Sequence, residues 1–221
     1  MWAIVPVKNL TGAKQRLSAA LNPQERYDLY RAMLTDVLRA LAGTSALDGI
    51  ALITRDAEAE QLAAEFGAET ITEAKNSGQT SAVHHGIAEL MVRGVKSILQ
   101  VPGDVPLATA AEFSQVIAAH LPAPAMTIVP ARDQQGSNCV VCSPPDSVAL
   151  RFGDNSFFPH LEAARQAHIK PTIVPLPGLG LDIDSPADLE VLIGQPAETL
   201  SHTYLAESGI AARLQQERKS A

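Results

Sequence analysis

The sequence predicts an α/β fold built on a mainly parallel sheet, and three observations carry that expectation. Short apolar runs alternate with helical patterns through the first half of the 221-residue chain. Helix-start signals recur at the joints, as in Asn22-Pro23-Gln24-Glu25 and Ser185-Pro186-Ala187-Asp188. Two later apolar runs, 126–130 and 139–142, flank a turn-like DQQGSN, which suggests antiparallel strands and a mixed sheet.

The elements follow in order. Ala3 to Val7 reads as a buried strand, and 10–21 as a loop with little apolar period. Asn22 caps a helix whose Tyr30, Met33, Leu34, Val37, Leu38 and Leu41 share a face, and Gly43 ends it. Residues 49–54 form a strand; Asp56 caps a helix to Phe66; 68–72 form a weaker strand. A polar loop, TEAKNSGQT, leads to a helix with Val83, Ile87, Leu90 and Met91 on one face. Residues 97–101 are the fourth strand. Thr109 with Glu112 forms a capping box for a helix through Leu121. Ser156 caps a helix over 157–167; 172–174 and 179–183 read as strands; Ser185 opens another helix. The domain spans 1–193, and 194–221 reads as a polar helical tail.

The bulk numbers narrow the function. A net charge of −7 argues against a nucleic-acid surface. No stretch approaches the apolar length of a membrane span, and MWAIVPVK is too short for a signal peptide, so a cytoplasmic protein is expected. Cys139 and Cys142 lie on a strand at i and i+3, facing opposite sides, and read as core or half-buried thiols. His84 and His85 read as bystanders, and His160 and His168 as helix-surface residues.

The stretch SILQVPGDVPLAT ends a core strand on Asp104, with a proline two residues to either side. Proline fixes φ and pushes the preceding residue into extended backbone, so the direction of Asp104 is constrained. If the first four strands lie in the order 3-2-1-4, ligands bind beyond the carboxyl ends of strands one and four. That order brings Lys8, Lys14 and Arg16, a basic loop on an acidic protein, to the same crevice as Asp104. Arginine forks and lysine point charges suit phosphates. In LGLDIDSPADL, Asp182 and Asp184 share one strand face, and three strand-end carboxylates are what Mg²⁺ needs. Plainer readings stand beside these: Asp104 as a turn former, Asp182 as a solvated strand end, Asp184 as a cap. Ser137 after Gly136 and Ser156 at a helix start suit a small anion. Asn76, Gln79 and Thr80 offer amides and a hydroxyl able to read a base edge.

Taken together, VPVKNLTGAKQRL, MLTDVL, NSGQTSAV, VPGDVPL, PARDQQGSNCVVCSPP, FGDNSFFPHLEAAR and LDIDSPADL resemble the 2-phospho-L-lactate guanylyltransferases of coenzyme F-420 biosynthesis. These form a branch of the molybdenum-cofactor-guanylyltransferase-like nucleotidyltransferases. The matching stretches run in family order over roughly residues 3–193. The resemblance implies a Rossmann-like, GT-A-type nucleotidyltransferase domain. It implies transfer of GMP from GTP to the phosphate of 2-phospho-L-lactate, phosphoenolpyruvate or 3-phosphoglycerate, with release of pyrophosphate. Matched by residue, Asp104, Asp182 and Asp184 would hold Mg²⁺. Lys8, Lys14 and Arg16 would lie along the phosphates, with Asp104, Lys14 and Arg16 carrying catalysis, and Ser137 and Ser156 would hold the phospho-acid. Many members read Gly-Leu-Asn-x-Ala where this chain reads Ser77-Gly78-Gln79-Thr80-Ser81, a loop near the nucleotide. Expected partners are GTP and a phospho-acid, with no nucleic acid or membrane, and a homodimer as an open option. Rivals are a sugar-1-phosphate nucleotidyltransferase, a GT-A glycosyltransferase and a non-catalytic nucleotide-binding module.

Overall fold

The computed structural model describes residues 1–73, 75, 78–153, 155–196 and 198–220. Its element order is β1 (Trp2–Pro6), α1 (Pro23–Ala42), β2 (Gly49–Ile53), α2 (Ala57–Glu65), β3 (Glu69–Ile71), α3 (Gln79–Val92), β4 (Ile98–Gln100) and α4 (Ala110–Ala118). Then come β5 (Ala125–Pro130), β6 (Ser137–Ser143), α5 (Phe157–Gln166), β7 (Thr172–Ile173), α6 (Pro186–Gly194), α7 (Leu200–Glu207) and α8 (Ile210–Ser220). The seven strands form one sheet in the order β3-β2-β1-β4-β6-β5-β7. The expected order 3-2-1-4 is therefore present, and β1, β2, β3 and β4 pair in parallel. β6 enters antiparallel to both β4 and β5, while β7 lies parallel to β5.

Both faces of the sheet are covered, because successive side chains on a strand point to opposite sides. Ala3 and Val5 join one core with α1, α2, α4 and α6, whereas Ile4 joins the other with α3 and α5. On β6, Cys139 falls in the first core and Cys142 in the second; both are buried free thiols, as their spacing indicated. Helix α1 begins as its sequence directs. The Asn22 side chain accepts from the Glu25 N–H, and Glu25 answers on the Asn22 N–H. On α3, Val83, Ile87 and Leu90 are buried, but Met91 lies at the edge of that face and is exposed.

Helices α7 and α8 return to α1. Asp36 on α1 accepts from the Leu200 and Ser201 N–H groups at 2.8 and 2.9 Å and from the Ser201 hydroxyl. An anion in the first turn of a helix meets the positive end of its dipole. Arg213 grips Glu25 with two nitrogens and the Ala20 carbonyl with one of them. Leu205 and Ile210 complete the core on that face.

Three local expectations are corrected. Residues 179–183 are not a strand: Leu179 and Gly180 close a turn, and 181–183 run on without a ladder, held by single backbone bonds such as Ile183 N–H to the Asp104 carbonyl. Glu112 does not close a capping box with Thr109. Thr109 caps the Glu112 N–H, but the Glu112 carboxylate accepts from the Gly178 and Leu179 N–H groups, each at 2.8 Å. Helix α4 also stops before Leu121, which is exposed. Gly178 is needed there for close approach: a Cβ would lie 2.2 Å from the Leu107 carbonyl oxygen.

Glu112 thus anchors the segment that carries Asp182 and Asp184. Glu112→Ala would leave two buried N–H donors unpaired, at a cost of about 2–4 kcal/mol. Chemical denaturation should show that loss, and Glu112→Gln, with one acceptor kept, should fall between the two.

Candidate active site

A cleft of about 990 Å³ opens at the carboxyl ends of β1 and β4. The loop after β1 gives it Lys8, Lys14 and Arg16; the turn after β4 gives Asp104; the segment before α6 gives Asp182 and Asp184. Gly136, Ser137 and Asn138 come from the start of β6, and Ser156 from the residue before α5. The switch point predicted from strand order therefore gathers the basic loop, three carboxylates and two serines at one site.

Lys14 is its centre. It adopts φ 55° and ψ 42°, the left-handed region, at the entry to a 3₁₀ turn over Gln15–Leu17. A non-glycine residue there costs about 1–3 kcal/mol and marks a site over-determined by its surroundings. The conformation turns its ammonium inward, where it pairs with Asp104 and, at 2.8 Å, with Asp184. The Lys14 side chain is only 6% exposed. Burial opposes the charge, but Asp104 and then Asp184 outweigh it and hold the Lys14 pKa above the ordinary lysine value. The Tyr30 ring lies under the ammonium, 5.8 Å from its centroid. Burial, then the Asp104 charge, raises the Tyr30 phenol, so it stays neutral.

The three carboxylates differ. Burial pushes Asp184 up, yet Lys14, and after it Arg16 at 3.5 Å, bring it below the usual carboxylate value. Asp182 is raised: burial is the main cause, an Asn138 hydrogen bond at 3.0 Å partly offsets it, and Asp104 and Asp184 add repulsion. On Asp104, Oδ2 meets Lys14, while the buried Oδ1 has no hydrogen-bond partner. An unsatisfied buried carboxylate oxygen beside a repelled carboxylate is the donor chemistry a hard divalent cation takes. Among the described residues no three acidic, imidazole or thiol groups stand as a ready-made metal cage, since the Lys14 ammonium joins Asp104 to Asp184. The oxygen donors fit such an ion nonetheless.

The serine end holds two further corrections. Ser156 does not cap α5; its Oγ accepts from the Ser137 N–H at 3.1 Å instead. The first N–H of that helix is also taken, by the Gln135 carbonyl, and Pro159 has none to offer, so the hydroxyls carry most of the anion-binding capacity here. His160 is no surface residue. It is fully buried, with Nδ1 2.9 Å from the Ser137 Oγ and Nε2 accepting from the Arg151 N–H. Burial lowers its pKa to about 4, so the ring is neutral at physiological pH. Its position on the buried stripe with Phe157, Leu161 and Ala164 was the sequence signal for this.

Of the base-reading candidates, Gln79 lines the cleft. Thr80 does not: its hydroxyl gives a bond to the Phe152 carbonyl and takes one from the Phe152 N–H, closing the loop beside Ser156. Asn76 lies outside the described residues. The sequence marks Asn138 only as part of the Gly136-Ser137-Asn138 loop, with no role of its own, and gives no signal for Glu73. Asn138 orients Asp182, and Glu73 is a buried carboxylate in the cleft wall two residues past β3.

The family profile described as "Guanylyl transferase CofC like" matches residues 1–221. The chain belongs to this family. CofC-like relatives share much of its length. A phosphoenolpyruvate guanylyltransferase of Sphaerobacter thermophilus is 36% identical over 192 residues, 87% of this chain and 92% of that one. One of Roseiflexus castenholzii is 37% identical over 207 residues, 94% of each. A 2-phospho-L-lactate guanylyltransferase of Methanothermobacter thermautotrophicus is 31% identical over 203 residues, 92% of this chain and 88% of that one. In fold, the chain is similar to a putative nucleotide-diphospho-sugar transferase of Desulfovibrio desulfuricans (TM-score 0.77, 18% identity, 96% and 97% covered). The CofC-like chain is thus an enzyme with a Rossmann-like nucleotidyltransferase fold. None of its described helices is long and apolar enough to cross a membrane.

Two outcomes follow from the electrostatics. Asp182→Asn removes a desolvated, repelled carboxylate while keeping an acceptor for Asn138, so it should raise Tm by about 1–4 °C even as it removes activity. Asp184 titrates below its unfolded value, so its contribution is present above that value and lost as pH falls through the folded one. The Tm gap between wild type and Asp184→Asn should therefore shrink as pH falls from about 5 to about 3. A constant gap would mean that the Asp184 charge does not stabilise the fold.

Proposed function

We propose that this chain transfers GMP from GTP to the phosphate of a three-carbon phospho-acid, phosphoenolpyruvate or 2-phospho-L-lactate before 3-phosphoglycerate, within coenzyme F-420 biosynthesis. The observation that carries the reading is one cleft walled by a basic loop, three carboxylates and two hydroxyls, in a chain of the CofC-like family. The names of its relatives supply the acceptors.

The chemistry asks for little covalent help. An acceptor phosphate oxygen attacks the α-phosphorus of GTP, the bond from that phosphorus to the β-phosphate oxygen breaks, and pyrophosphate leaves with the electron pair. The acceptor phosphate is ionised at neutral pH, because its second pKa is about 6. No general base is needed, in keeping with a neutral His160 and buried, inert thiols. Positioning and charge neutralisation do the work. Lys8 and Arg16, exposed on the cleft rim, take the outer phosphates. Lys14 keeps its charge and holds Asp104 and Asp184 in place. Asp104, Asp182 and Asp184 are the groups that would hold Mg²⁺, which supplies charge neutralisation on the phosphates when bound. Ser137 and Ser156 donate to the acceptor, and Gln79 faces the nucleotide.

The test is incubation of GTP and Mg²⁺ with phosphoenolpyruvate, 2-phospho-L-lactate, 3-phosphoglycerate and glucose 1-phosphate, read by mass spectrometry. A guanylylated phospho-acid and pyrophosphate are expected. Product from the sugar phosphate alone would overturn the reading. Ser156→Ala should raise the acceptor KM about tenfold while moving the GTP KM much less, as loss of a hydrogen bond to a charged group does.

A further inference from the structure

The hydrogen bonds around His160 fix its tautomer and make acceptors of two serine oxygens in the cleft. The Arg151 N–H donates to Nε2 at 2.9 Å, so that nitrogen carries no hydrogen. A neutral imidazole has one N–H, which then sits on Nδ1, 2.9 Å from the Ser137 Oγ. Ser137 must accept that bond. The Ser156 Oγ likewise already accepts, from the Ser137 N–H. A hydroxyl has one hydrogen, and neither hydrogen goes to another described residue. Both serines line the cleft, each less than 7% exposed. The Phe152 ring packs edge-on against His160, 5.0 Å between centroids.

We propose that His160 is a positioning residue for the acceptor: by donating to one lone pair of Ser137 it leaves that hydroxyl's hydrogen to turn to the cleft, beside the hydrogen of Ser156, whose Oγ accepts from the Ser137 N–H. Such a pair suits a group that only accepts, a carboxylate or phosphate oxygen, better than a neutral hydroxyl or amide, because one lone pair on each serine oxygen is already taken. A carboxylate would take both hydrogens with its two oxygens. The selectivity between an anionic acid and a neutral alcohol end thus originates in a side chain that touches neither substrate. The proposal rests on the reading of Ser137 and Ser156 as the acceptor pocket.

Kinetics separates the two. Ser137→Ala should raise the phosphoenolpyruvate KM about tenfold and leave the GTP KM in place. His160→Leu, of similar bulk but without a donor, should raise the same KM by a similar factor, and His160→Asn, whose amide can donate to Ser137, should recover part of it. In a Ser137→Ala background, His160→Leu should add nothing further to the acceptor KM. If Ser137→Ala leaves the acceptor KM unchanged, the pocket reading fails and the inference with it. If Ser137→Ala acts but His160→Leu does not, or if the two effects multiply, only the inference fails. A measurement independent of turnover uses the intact protein labelled with ¹⁵N-histidine. The resonance that His160→Asn removes should show a protonated Nδ1 and a bare Nε2, unchanged from pH 8 to pH 6. An Nε2–H tautomer there overturns the proposal.

Discussion

One ammonium ties the site together. Lys14 bonds Asp104, 90 residues along the chain, and Asp184, 170 residues along. These three residues lie after β1, after β4 and before α6, so a single charge fixes the relative positions of three separate segments. The bond has an internal cost, since Lys14 is held in left-handed backbone and its side chain is almost wholly buried. The two carboxylates offset it. Without them the lysine would lose its proton on burial, and without the lysine three acids would face one another across a partly dry cleft.

The sheet order, the cap of α1 and the crevice were legible in the sequence because each rests on a local rule. Apolar runs set strands, Asn22 and Glu25 set a helix start, and strand order sets the crevice. What the sequence hid is non-local. Glu112 looks like the third residue of a capping box, and its N–H is indeed capped, but its carboxylate meets a loop 66 residues away. Ser156 looks like a cap and is instead an acceptor for Ser137, 19 residues before it in the chain. His160 reads as a surface histidine by polarity alone, yet it lies on the buried stripe of α5. The alternation in LGLDID predicted the correct facing of Asp182 and Asp184, yet the segment has no strand partner. Facing depends on extended backbone alone, whereas strand identity needs a neighbour.

Several features of the cleft run against stability. Asp182 is desolvated and repelled, Asp104 keeps an unsatisfied buried oxygen, and Lys14 sits in strained backbone. They cluster at one end of the sheet, while both packed cores are mainly aliphatic, with Gln100 on β4 as a buried amide without a hydrogen-bond partner among the described residues. A cation bound among these carboxylates would relieve the repulsion, and anything that binds the folded state alone stabilises it.

The docking of α7 on α1 has a consequence for how the chain folds. Asp36 waits for Leu200 and Ser201 across 164 and 165 residues. Until those residues arrive, the carboxylate lacks its Leu200 and Ser201 donors and keeps Arg39, and part of an apolar helix face is uncovered, even after all seven strands are in place. Contacts of such sequence separation form late and slow the search for the native state. A growing chain would therefore carry an uncovered apolar stripe on α1 through most of its synthesis, and chaperones that shield such surfaces have that stripe to bind.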